Sequence, residues 1–303
     1  MEVLNKIILK KTVNYSIEDF YDIYDVIVTL EDFESPTKNQ FICRFCGSNN
    51  PKHFRSISHV VPEFTGNRSV KYYEECDSCN NLFSRYERAL SIFGGIKHSL
   101  SGVKGKKYPK HIDRENKFRT FSSSTGRHII QEEESPKGIT VENGELIIKS
   151  KTLKFKPRYV QKALVKIGLS LMPKEELSKF DKTLQWLANP NDTFTIKKHP
   201  MFILIHNFFD QPRTKPVAIL VRRKINYNCP EYSLLLFFGF FSFQIFIPFN
   251  KNDENLNFDN INLPLNNFVV MGDSKREIGF DHFYMDKLED TRFIDVFRTK
   301  KFK

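Results

Sequence analysis

Hydrophobic residues change period several times along this chain. Over residues 80–93, Leu82, Phe83, Tyr86, Leu90 and Phe93 share one side of a 3.6-residue repeat, which predicts a helix that stops at "FGG". After Pro157, Val160, Ala163, Leu164, Ile167 and Leu171 form a second such stripe. The segment "PKEELSKFDKTLQWLA" opens a third helix with proline and acids in its first turn. Between the first two helices the period shortens to two. Residues 127–156 read as short strands, and "GITVENGELIIKS" places Asn143-Gly144 between two alternating runs, the signature of a tight hairpin. Beyond residue 193 the pattern is of strands again: "FTIKKHPMFILIHNFF", "KPVAILVRRKINY" and the Phe-rich "YSLLLFFGFFSFQIFIPF". Residues 1–40 mix helical and strand patterns, with acidic patches.

The Phe-rich run, residues 232–249, approaches the length of a membrane-spanning helix. Gly239 interrupts it, Ser233, Ser242, Gln244 and Pro248 dilute it, and Phe and Ile favour strands, so a buried hairpin turning at "FFGFF" is expected and no membrane. Runs of helices followed by strands predict an α+β protein.

Composition adds a direction. The chain has 303 residues, a formal net charge of +11 and a pI near 9.3, which favours a polyanionic partner such as nucleic acid. The basic excess concentrates in "KHSLSGVKGKKYPKHIDRENKFRTFSSSTGR", which reads as a linker or long loop able to follow a phosphate backbone, or as a solvated linker and nothing more. Tyr108, Phe118 and Phe121 are spread too sparsely along it to argue base stacking.

The five cysteines change the picture most. Cys43 and Cys46 form one Cys-x-x-Cys pair, Cys76 and Cys79 a second, and Cys229 stands alone. This is not a disulfide framework, and the N-terminus has no apolar core before a cleavage site, so a reducing cytoplasm is expected. Two such pairs supply four thiolates, a closed tetrahedral set for structural Zn²⁺ with no open position for catalysis. Between the pairs, "FRSISHVVPEF" reads as a short strand carrying His59 near its end, and "TGN" as a turn. Asn80 and Asn81 follow the second pair, where an amide can cap a helix or offer its oxygen to a hard cation.

The order C-x2-C, H-V-V-P-E-F-T-G-N, E-C-x2-C-N-N-L-F-S-R-Y-E, over about residues 41–95, resembles the HNH endonucleases, the ββα-metal nucleases, in the branch framed by a four-cysteine zinc site. That resemblance implies His59 as the general base that activates water, and Asn80, with Asn81 as fallback, as the ligand of a catalytic Mg²⁺ or Mn²⁺ at the scissile phosphate. It implies a substrate of DNA or RNA, with DNA favoured, bound through its backbone, and a setting in bacterial defence or restriction. Two departures stand out. Ser58 occupies the position before the base, where many relatives carry a second metal ligand, and the stretch "SVKYYEE" lacks a middle asparagine. Glu63, Glu74, Glu75 and Glu87 are the acids near enough in sequence to complete a site. Glu87 shares Asn80's helical face but sits about 10 Å further along the axis; it reads as an active-site acid or as a salt-bridge partner of Arg85, Arg88 or a neighbouring segment.

The expected organisation is thus a zinc-stabilised ββα-metal module over 1–100, a basic linker over 101–126, and a separate α+β domain over 127–303 with two helices and a Phe-rich antiparallel sheet. The last is left with targeting, sensing or assembly, through a homo-oligomer or a partner protein. The competing reading is a non-catalytic zinc ribbon that binds nucleic acid or protein.

Overall fold

The structure, a computed structural model, describes residues 12–15, 17–37, 40–131, 138–192, 202–207, 212–256, 263–266, 280–284, 289–292 and 294–298. The chain begins with β1 (Thr12–Tyr15), α1 (Ile17–Ile23) and β2 (Tyr24–Thr29). The cysteine segment adds β3 (Ser58–His59), β4 (Lys71–Tyr72) and α2 (Asp77–Phe93), with α3 (Gly95–Ser99) behind it. Next come β5 (Lys110–Asp113), β6 (Phe118–Ser123), β7 (Gly126–Gln131), β8 (Ile139–Glu142) and β9 (Glu145–Lys151). Helices α4 (Pro157–Leu171) and α5 (Asp181–Ala188) lead to β10 (Phe202–Asn207), β11 (Arg213–Arg223), β12 (Tyr232–Gly239), β13 (Phe241–Phe246), β14 (Leu263–Asn266), β15 (Phe280–Tyr284) and β16 (Ile294–Arg298).

The Phe-rich segment is the expected hairpin. Strands β12 and β13 pair antiparallel from Ser233–Phe246 to Phe238–Phe241, leaving Gly239-Phe240 as a two-residue turn. They lie at the centre of a six-stranded sheet of order β15-β10-β13-β12-β11-β2 in which every pair is antiparallel. Leu234, Leu236 and Phe238 face one core with Phe241, Phe243 and Ile245, while Leu235 and Phe246 face another with Phe20, Ile23 and Tyr24 of the N-terminal elements. Burial on both faces explains why the run lacks polar alternation. Among the described residues no helix is long and apolar enough to cross a membrane. The other hairpin is also as expected: Asn143 and Gly144 both take positive φ, at 54° and 78°, between Glu142 and Glu145.

Three expectations need correction. The basic stretch is not a linker: β5, β6 and β7 form a three-stranded antiparallel sheet whose inner side packs Phe118 against Ile96, Leu100 and Phe240. The segment after Pro173 does not form one helix, because Phe180 leaves helical geometry (φ −115°, ψ 23°) and separates a 3-10 turn over Lys174–Lys179 from α5. Lastly, the cores do not divide near residue 100. Strand β2 completes the sheet of the second half beside β11, α2 packs along α4, and α4 rests on β12. The apolar stripe of α4 is buried as its spacing predicts, but so are Arg158, Gln161, Lys162, Lys166 and Ser170 on its other sides. Of the strand pattern over 194–209, residues 202–207 are β10 and the others lie outside the described residues.

The two halves meet closely at Gly66, where φ is +98° and a Cβ would stand 2.3 Å from the backbone oxygen of Thr214 in β11. Gly66→Ala is therefore expected to destabilise the whole protein by about 2 kcal/mol or more, from backbone strain plus the clash. Urea unfolding followed by the fluorescence of Trp186, the chain's only tryptophan and buried, measures this.

Candidate metal centre and the histidine beside it

The four paired cysteines converge. Their sulfurs all lie within 4.8 Å of one another, and Cys46 Sγ is 3.6 Å from Cys76 Sγ, close to the edge of about 3.8 Å that a tetrahedron of 2.3 Å zinc–sulfur bonds requires. Cys43 Sγ accepts the backbone N–H of Cys76 at 3.4 Å, which ties the pairs together. The first pair sits on a turn closed by Cys43 N–H to Ser48 O at 2.7 Å and Gly47 N–H to Cys43 O at 2.8 Å. The second pair lies at a helix start: α2 begins at Asp77, one turn earlier than its apolar stripe suggested, so Cys79 is itself helical and Cys76 is the residue preceding the helix. The bond between Cys79 and Cys43 raises the pKa of the Cys79 thiol, which burial raises further, and lowers that of Cys43. Four sulfurs this close fit a zinc ion.

His59 ends β3, a strand of two residues, shorter than the pattern implied, paired with Lys71 on β4. The loop joining β3 to β4 is closed by Asn67, whose buried amide donates to Val61 O at 2.8 Å and Val70 O at 3.0 Å and accepts from Val70 N–H at 3.0 Å. Asn67 is thus a loop clamp. The Ser58 hydroxyl is buried and donates to Tyr72 O at 2.9 Å, so the residue before His59 fastens the hairpin rather than facing a ligand. The His59 ring is half-buried. Burial pushes its pKa below the ordinary value; Glu63 opposes that shift, and Lys166 and Lys71 add to it.

Asp77 holds this hairpin to the helix. Its carboxylate accepts from Ser56 N–H at 2.8 Å, Ser56 Oγ at 2.5 Å and both the backbone and guanidinium of Arg55, and these bonds, the Ser56 hydroxyl first, hold its pKa far below the usual carboxylate range. Asn80 joins the same knot by donating Nδ2 to Ser56 Oγ at 3.2 Å, which leaves its amide oxygen outside that bond. Its own N–H is an intrahelical donor to Cys76 O at 2.9 Å.

The nearby acids are mostly neutralised by cations. Glu74 binds Arg44 at 2.7 Å and also meets Lys174. Glu87 pairs neither with Arg85 nor with Arg88 but with Lys166 of α4 at 3.4 Å, and Lys166 also lies 3.1 Å from the wholly buried Glu75. Burial pushes Glu75 up to about 7 and raises Glu87, against the pull of Lys166. Burial disfavours the Lys166 cation in turn, but the two acids outweigh it and hold its pKa above the ordinary value. Lys166 also donates to the backbone oxygen of His59 at 3.0 Å. Sequence reasoning missed Lys166, since a lysine beside an apolar stripe reads as solvated. Its only signal was alignment with Arg158 and Lys162 at four-residue steps. Among the described residues the cysteine quartet is the only group of three or more His, Cys, Asp or Glu close enough to hold a metal, so no second cage of acids surrounds His59 and Asn80. Glu63 is the one of the four expected acids for which no ion pair is formed among the described residues, and it acts on His59 through its charge.

Comparison of the chain with known protein families, with characterised proteins and with solved structures finds no match.

Two outcomes follow from this geometry. Purified protein is expected to carry about one zinc per chain, and Cys76→Ser to lower both the zinc content, read by metal analysis, and the melting temperature, because binding energy of a structural zinc is folding energy. Lys166→Met is expected to cost about 3–5 kcal/mol by stranding buried Glu75, measured by urea unfolding; adding Glu75→Gln to it should recover a substantial part of that loss.

Proposed function

We propose that the chain is a metal-dependent endonuclease of the HNH type that hydrolyses nucleic-acid phosphodiester bonds, with DNA as the first candidate substrate and contacts directed to the backbone. The observation that carries the reading is the order of parts: a hairpin, β3–β4, ending in a half-buried histidine, followed by a helix that starts inside a four-thiol cluster and carries Asn80 on its first turns. A pure zinc ribbon has no use for a histidine whose environment favours the neutral form. In that form His59 takes a proton from the attacking water. Asn80 offers its free amide oxygen to Mg²⁺ or Mn²⁺, which would supply charge stabilisation at the phosphate and the leaving oxygen. The quartet Cys43, Cys46, Cys76 and Cys79 holds structural zinc and fixes the start of α2, hence the position of Asn80. Glu87 acts at one remove: it helps hold Lys166, whose ammonium fixes the carbonyl of His59. The second half of the chain therefore belongs to the cutting machinery, whatever else it binds.

Wild-type protein in Mg²⁺ or Mn²⁺ is expected to cleave plasmid or single-stranded DNA, or RNA, and His59→Ala to lose about 10²–10⁴ of that rate with zinc content unchanged. Because the His59 pKa lies below the ordinary value, the base is already deprotonated at pH 7. The rate should be flat through neutrality and fall only below about pH 6.5. Binding without cleavage by the wild type would favour the non-catalytic zinc-ribbon reading instead, and equal cleavage by His59→Ala would remove this histidine from the role.

A further inference from the structure

The basic stretch that looks like a linker folds into a sheet, and folding sorts its side chains. The inner side of β5–β6–β7 carries His111, Asp113, Phe118, Thr120 and Ser122, all buried. The outer side carries Lys110, Ile112, Arg119, Phe121, His128 and Ile130, and the strand register sets them in two rows. In one row Lys110, Phe121 and His128 lie side by side: the rings of Phe121 and His128 stack with centroids 4.8 Å apart and planes 21° from parallel, and Lys110 Nζ is 5.8 Å from the Phe121 centroid. The other row sets Arg119 between Ile112 and Ile130, which are 47% and 37% exposed. Ser123 Oγ, at 2.6 Å, and Thr125 Oγ1, at 3.3 Å, fix the edge of the His128 ring.

Charge is sorted as well. Residues 104–131 contain eight lysines and arginines and two acids. Neither acid faces outward unpaired: Asp113 is buried against Ser150 and Asn116, and Glu115 is held by Lys151 at 2.9 Å and Arg292 at 3.0 Å. A face with a half-exposed stacked aromatic pair, cations beside it and, among the described residues, no unpaired carboxylate suits a polyanion that also presents flat rings. Apolar rows alone would suit a protein partner, but lysine and arginine set beside stacked rings match the alternating phosphates and bases of an unpaired strand better. A duplex hides its bases in the stack and cannot use the rings.

We infer that the outer face of β5–β6–β7 is a binding platform for single-stranded nucleic acid, with a base stacked at Phe121 and phosphates at Lys110 and Arg119. The long Lys110 side chain swings off the ring as the base arrives and meets the neighbouring phosphate. This rests on the reading of the chain as one that acts on nucleic acid, but it assigns a site outside the cysteine module and needs no cutting.

The test measures binding of a fluorescein-labelled oligothymidylate and an oligouridylate, by anisotropy, to full-length His59→Ala protein so that cleavage plays no part. Adding Phe121→Ala is expected to weaken binding about tenfold, within the range for one base stacked on an aromatic ring. Phe121→Trp should retain it, and Arg119→Gln should lower the salt slope by about one. Zinc content and Trp186 melting confirm that each variant is folded. Unchanged affinity in folded Phe121→Ala protein would overturn the platform even if the wild type cuts DNA. Phe121-dependent binding in a wild type that never cuts would keep the platform and sink the nuclease reading. Self-association of the chain that Phe121→Ala abolishes, with no change in oligonucleotide binding, would make the face a contact between copies and also overturn it.

Discussion

A lysine ammonium sealed between two carboxylates joins the parts of this protein. Lys166 lies in the middle of α4, meets Glu75 just ahead of the second cysteine pair and Glu87 on α2, and still reaches the backbone of His59. A buried ion pair is weak as a source of net stability, since desolvation cancels much of the attraction, but it is exacting about geometry because a stranded partner is costly. With one ammonium donating to Glu87 and to the His59 carbonyl and lying in ion-pair range of Glu75, α4, α2 and the His59 hairpin are tied to one relative arrangement. Arg44 repeats the device at the end of α4: it binds Glu74 and also donates to the carbonyls of Leu169 and Met172, where the helix runs out of its own donors.

Further along α4, Lys162 donates to Trp186 O at 2.5 Å and Asn189 O at 2.6 Å at the end of α5, and lies over the rings of Tyr86 and Trp186. Burial pushes its pKa down to about 7. The helix that looks amphipathic is therefore a central strut. Its apolar side packs on the six-stranded sheet, and its cationic side receives the cysteine module and α5. The module cannot be lifted off as an independent unit without exposing α4's cations and the shared apolar core.

Around the histidine, each short-range contact serves to stiffen. Ser58 binds across the hairpin, Asn67 closes its loop, Asp77 and Asn80 bind its entry, and the thiol cluster fixes the helix start. A two-residue strand pair has little stability of its own. These contacts are what allow so small a hairpin to hold a side chain in one place, and they leave the Asn80 amide oxygen outside the knot that binds its Nδ2.

Features that depend only on neighbours along the chain are legible in its residues. The two Cys-x-x-Cys pairs, the helical stripes of α2 and α4, the Asn143-Gly144 turn and the Phe-rich hairpin are local patterns, set by periodicity, turn chemistry and ligand spacing, and each is found where it was expected. Features that depend on distant partners emerge with the packing of the elements. A lysine's solvation is invisible in sequence, so the role of Lys166, and with it the pairing of Glu87, could not be read until α4 was laid against α2. The same holds for the basic stretch: Lys110, Phe121 and His128 are scattered along the chain and become neighbours through strand register alone, and a Gly- and Ser-rich composition gives no sign of that register. The boundary near residue 100 failed for the same reason, because β2 and the Thr214 contact at Gly66 join segments that lie far apart in sequence.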